Sequence, residues 1–118
     1  MPLTPQILII DDETDICFLL SAILTNSGYV TQYAHSLKDG MEKINTHHPD
    51  IILLDVNLPD GSGLDYVPFI KQNHHKTKLV VMSAHVSESE VNEVIRRGAD
   101  SFLSKPISKK ELMAVIAA

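Results

Sequence analysis

The sequence predicts a three-layer α/β sandwich built on one parallel five-stranded sheet, and three observations lead to it. Short apolar runs of strand character recur every twenty-odd residues, at 6–10, 29–33, 51–54, 78–82 and 101–103, with helical periodicity between them. The first, third and fourth runs carry Val, Ile and Leu on both faces, as strands covered on both sides by helices do. Strands that alternate with helices are joined by right-handed crossovers, which leaves all five strands running the same way.

Each element has its own signal. The first run, Ile7-Leu8-Ile9-Ile10, stops at Asp11-Asp12. Ile16, Leu19, Leu20, Ile23 and Leu24 then recur at spacings of three and four, and Asn26-Ser27-Gly28 stops that helix. Cys17 lies within the apolar pattern and reads as a core filler. After the second strand, Ser36 precedes a helix with Leu37, Met41 and Ile44 on one face. The third strand runs into Asp55. Pro68 sits inside the third helical pattern, Leu64 to about Asn73, and predicts a late start or a bend there.

The fourth strand runs into Ser83. Ser87-Glu88-Ser89-Glu90 is a capping box, with Val86 and Val91 placed as a hydrophobic staple. The fifth strand, Phe102-Leu103-Ser104, runs into Lys105. Ser108-Lys109-Lys110-Glu111 repeats the capping box, with Ile107 and Leu112 as its staple. The last helix is short, which fits either a complete chain or one piece of a longer protein. The reading is a single domain over residues 1–118.

Composition narrows the function classes. The chain has 118 residues, about one domain's worth, with 44% hydrophobic and 21% charged residues. A net charge of -5 without a basic cluster argues against direct nucleic-acid binding. One cysteine excludes an internal disulfide. With neither a signal-peptide pattern nor an apolar stretch of membrane-spanning length, the expected location is cytoplasmic, without membrane contact. His47-His48 and His74-His75 follow the second and third helices, at the sheet edge away from the acids. If the pairs met they would suit zinc or nickel, although no acidic or cysteine ligand accompanies them.

Parallel strands bring their polar successors to one edge, where open α/β sheets hold their ligands. Asp11, Asp12 and Asp55 would then place three negative charges in one crevice, which calls for a cation. Hard oxygen donors suit Mg²⁺, which takes one or two carboxylates together with phosphate oxygens. Lys105 adds a positive charge and Ser83 a hydroxyl donor, so the set is suited to phosphoryl transfer onto a carboxylate.

Asp11-Asp12-Glu13, Asp55 with Pro59 and Gly61, Ser83-Ala84 and Lys105-Pro106 together resemble the receiver domain of two-component response regulators. The resemblance covers essentially the whole chain. It implies a flavodoxin-like, doubly wound (βα)5 fold with strand order 2-1-3-4-5. It makes Asp55 the phospho-acceptor and Asp12 and Asp55 direct ligands of Mg²⁺ or Mn²⁺. The backbone carbonyl of Asn57 would be a third ligand and Asp11 would act through water. Lys105 would pair with the phosphoryl group, and the Lys105–Pro106 bond would be cis.

The resemblance also implies a switch. Ser83 would be drawn toward the added phosphoryl oxygens, and Phe102 would turn inward as the reporter of that movement. The output surface would be helix four, strand five and helix five. The expected partners are a sensor histidine kinase or a histidine phosphotransfer protein, an output domain or protein, or a second copy of the chain. Ser83 stands where threonine is frequent, keeping the hydroxyl and losing the methyl that stiffens its rotamer. His85 and Asn57 would border the path of the attacking water and tune the phosphoryl lifetime.

Two other classes are open to this sequence. A phosphorylation-independent pseudo-receiver would act only by docking, but its expected mark is loss of the acceptor or the lysine. A small aspartyl-phosphate hydrolase would carry a second Asp two residues after the nucleophile, where this chain has Asn57, and a cap domain. The expectation is a signalling domain that catalyses its own modification and its reversal, not a turnover enzyme.

Overall fold

The computed structural model describes residues 4–84 and 87–118. Five strands form the main sheet: β1 Gln6–Ile10, β2 Val30–Ala34, β3 Ile51–Asp55, β4 Lys78–Ser83 and β5 Ser101–Ser104. All neighbouring pairs are parallel, in the order β2-β1-β3-β4-β5. The helices are α1 Thr14–Asn26, α2 Leu37–His47, α3 Val67–Asn73, α4 Glu88–Arg96 and α5 Lys109–Ala117. The predicted fold class and strand order both hold.

Side chains alternate across the sheet and build a core on each face. Leu8, Ile10, Ile52, Leu54, Leu79 and Val81 pack with Leu37 and Ile44 of α2, Val67 and Ile70 of α3 and Val94 of α4. Ile7, Ile9, Ile51, Leu53, Val80 and Met82 pack on the other face with Cys17, Leu20 and Leu24 of α1 and Leu112 and Ile116 of α5. Each such side chain, fully removed from water, contributes about 1.5–3 kcal/mol before entropy is counted. Cys17 is the filler expected of it, and burial pushes its thiol up to about 11.

Strand boundaries differ from expectation in an informative way. β3, β4 and β5 each continue one residue further, taking in Asp55, Ser83 and Ser104, because the ladder pairs backbones and ignores side-chain polarity. β2 lies one residue later than the 29–33 expected. It is an edge strand with Val30 and Tyr33 exposed, so its apolar pattern does not set its register. Leu19 is also exposed, as is Phe18. Neighbouring residues lie about 100° apart around a helix, and with Cys17, Leu20 and Leu24 turned to the sheet Leu19 falls at the rim of the apolar face.

The helix ends follow the local chemistry. Ser36, Ser87 and Ser108 cap α2, α4 and α5, accepting from the backbone N–H groups of Asp39, Glu90 and Glu111. Ile107 and Leu112 share one core cluster, as the second staple requires, whereas Val86 of the first lies outside the described residues. Pro68 does delay α3: residues Gly63–Tyr66 form a 3₁₀ turn, and the helix begins at Val67 with Pro68 in its first turn. A short antiparallel hairpin, Asn57–Leu58 with Gly61–Ser62, follows β3 and was not expected.

Candidate functional site

The carboxyl ends of β1, β3, β4 and β5 bring Asp11, Asp12, Asp55, Ser83 and Lys105 to one edge, as the parallel topology requires. An open cleft of about 250 Å³ there is lined by Asp12, Glu13, Asp55, Asn57, Ala84 and Lys105. Asp11 and Asp55 are buried, while Asp12 is exposed.

Asp11 is held at every polar atom. Its N–H donates to Ala34 O at 3.0 Å, and its Oδ1 accepts from the Glu13 N–H at 2.9 Å. Lys105 Nζ donates to its Oδ2 at 2.8 Å. Its carbonyl lies 3.0 Å from His35 Nδ1 and accepts from Cys17 Sγ at 3.3 Å. Lys105 Nζ also stands 3.3 Å from Asp55 Oδ2 and 3.7 Å from Glu13 Oε1.

Burial raises the Asp55 carboxyl above its ordinary range, as does the neighbouring Asp11 charge, while Lys105 opposes both. Burial works against the Lys105 ammonium, but the Asp11 hydrogen bond and the charges of Asp11 and Asp55 outweigh it and raise its pKa. Lys105 is positioned by its backbone, whose N–H donates to Ser83 O at 2.8 Å, and the Lys105–Pro106 bond is cis.

One carboxylate oxygen from each of Asp11, Asp12 and Asp55 lies within 4.8 Å of the others. Among the described residues this is the only group of three or more His, Cys, Asp or Glu side chains able to share an ion. The histidine pairs therefore form no such group. The donors are all hard oxygens beside an open cleft, which fits a hydrated divalent cation.

Ser83 is buried at the end of β4. Phe102 is half-buried in β5 against the cluster that includes Val94 and Ala99, and it is not among the residues lining the cleft. His85 lies outside the described residues.

Two residues at this edge escaped sequence reasoning. Gly63 packs so closely that a Cβ there would collide with the Asp55 carbonyl oxygen and come within 3.1 Å of Leu54 Cγ. Its sequence signal, a second glycine two residues after Gly61, reads only as a turn. His35 has no local signal, since its contact with Asp11 is made across the sheet.

The fold is a doubly wound parallel α/β sheet, and its carboxyl edge carries three carboxylates that could share a metal ion, with a lysine beside them. The response regulator receiver domain model matches residues 7–117, and the chain belongs to that family. The response regulator protein PilR of Pseudomonas aeruginosa is 36% identical over 110 residues, covering 93% of this chain and 25% of PilR. The KDP operon transcriptional regulatory protein KdpE of Escherichia coli is 35% identical over 109 residues, covering 92% of this chain and 48% of KdpE. The chain thus spans less than half of either relative. The crystal structure of the receiver domain of NtrX from Brucella abortus superposes with a TM-score of 0.87 at 33% identity, covering 94% of both chains. Among the described residues, no helix is long and apolar enough to cross a membrane.

Proposed function

We propose that this chain is a single receiver domain, residues 1–118, and works as a phosphorylation-dependent switch of a two-component phosphorelay in which Asp55 accepts the phosphoryl group. The observation that carries this reading is the convergence of Asp12, Asp55 and Lys105, from three strand ends, on one open cleft. An Asp55 carboxylate oxygen forms the new O–P bond as the P–N bond to a donor imidazole breaks, and the bonding pair returns to the imidazole. Lys105 is poised to follow the charge from the carboxylate to the phosphoryl oxygens.

Asp12 and Asp55, the backbone carbonyl of Asn57 and, through water, Asp11 would hold Mg²⁺ or Mn²⁺, which when bound neutralises phosphoryl oxygens. Ser83, at the end of β4, and Phe102, half-buried in β5, are suited to carry the change to the α4-β5-α5 surface. Asn57 lines the cleft and, with His85, is the candidate for setting phosphoryl lifetime. The donor would be a sensor histidine kinase or a histidine phosphotransfer protein. The reader of the output surface would be a downstream domain, a separate protein or a second copy.

Incubation with Mg²⁺ and acetyl phosphate, followed by intact mass, tests the reading. The expected result is a gain of one phosphoryl group that is lost in Asp55→Asn and in chelator. Absence of the gain with small donors and with phosphohistidine would instead support a docking module that takes no phosphate.

A further inference from the structure

We propose that His35 is a positioning residue that aims the Asp12 carboxylate by holding the carbonyl of Asp11. The inference rests on the reading that the acidic cleft takes a divalent ion. The register pairs Ile10 with Ala34, the last residue of β2, and the Asp11 N–H extends the ladder by one bond to Ala34 O at 3.0 Å. The next bond of a parallel ladder would run from the Ser36 N–H to the Asp11 carbonyl. Ser36 is instead the N-cap of α2, where the chain leaves the sheet. The ring of His35 supplies the missing donor, with Nδ1 at 3.0 Å from that carbonyl.

A carbonyl only accepts, so this contact places a hydrogen on Nδ1. Tyr33 steadies the ring, with centroids 5.4 Å apart and planes tilted by 46°. Cys17 Sγ is the second donor at 3.3 Å, and a thiol is a weak one. His35 is therefore the stronger of the two side chains that set the plane of the Asp11–Asp12 peptide. That plane matters because Asp12 is exposed and, among the described residues, no hydrogen bond holds its carboxylate. The backbone fixes where its Cβ starts and therefore which of its rotamers reach the cleft. Asp11 cannot swing to compensate, since both of its carboxylate oxygens are engaged.

Calorimetric titration with MgCl₂ of wild type, His35→Phe and His35→Asn tests this, with urea unfolding in EDTA and the ¹⁵N spectrum of His35 as metal-free readouts. His35→Phe keeps a flat ring and removes the donor, so its Mg²⁺ affinity should fall on the order of 10-fold, as for other groups that orient metal ligands. His35→Asn returns an N–H near the Nδ1 position and should recover most of that loss. Rescue by Asn is what a mere packing role would not produce. In wild type the metal-free spectrum should place the hydrogen on Nδ1. Equal affinity in wild type and His35→Phe, failure of Asn to rescue, or a hydrogen on Nε2 alone would each overturn the inference while the switch reading stands. Wild type that binds no Mg²⁺ would overturn both.

Discussion

Lys105 Nζ lies nearer to Asp11 than to Asp55, 2.8 Å against 3.3 Å, so the ammonium beside these carboxylates is anchored on the acid that is fully buried. Removing it leaves three carboxylates to repel one another. Lys105→Met should therefore destabilise the metal-free protein by about 1–3 kcal/mol, less than the ~3–5 kcal/mol of a fully enclosed pair because the cleft is open to water. Added Mg²⁺ should stabilise the variant more than wild type. Urea unfolding with EDTA and then with Mg²⁺ measures both effects.

Gly63 sits against the backbone of the proposed phospho-acceptor. A methyl group there has to displace the Asp55 carbonyl, to which it would lie closest. Gly63→Ala should cost about 1–3 kcal/mol, the usual effect of overpacking. It should also slow phosphorylation by acetyl phosphate at saturating Mg²⁺, measured by intact mass. Gly28→Ala is the control: its φ of 97° makes it strained as well, but an added Cβ meets nothing within 4 Å.

Asp60 ties the loop after β3 to the start of α2, accepting from the N–H groups of Leu37 at 2.8 Å and Lys38 at 3.0 Å. These bonds, Leu37's first, hold its carboxyl below the ordinary range. A carboxylate with a depressed folded pKa stabilises the fold above its unfolded pKa, and that stability is lost as pH falls through the folded value. Wild type should therefore melt higher than Asp60→Asn at neutral pH, and the gap should close in acid. Thermal melts across the acid range, at fixed ionic strength, check the sign.

Phe102 is only half-buried and does not line the cleft. Phe102→Ala should leave phosphorylation of Asp55 intact and cost about 1–2 kcal/mol, below the value for a fully buried Phe. Hydrogen exchange in α4 and β5 should change on phosphorylation in wild type and change less in the variant. Equal responses would remove Phe102 from the switch.

The reach of sequence reasoning followed the range of the forces involved. Serine caps, the helix stop at Gly28 and the delay at Pro68 are governed by a few neighbouring residues, and each was legible. The acid edge was legible too, because parallel topology converts the end of each apolar run into a place. The register of β2 was not, since an edge strand half in water gives a weak apolar pattern. Nor was the exposure of Leu19, because spacings of three and four from neighbouring leucines fit two helix faces.

By itself, then, the sequence determined the alternation of strands and helices, their direction and the set of residues at the carboxyl edge. These follow from local periodicity and from the handedness of crossovers. Only the tertiary structure decided how those residues meet. Lys105 and Asp11 are 94 residues apart in the chain, and their contact depends on where β1 and β5 end relative to β3 and β4. The same holds for His35 on the Asp11 carbonyl and Gly63 beneath Asp55. Such contacts are set by the close packing of distant segments, which no local pattern records.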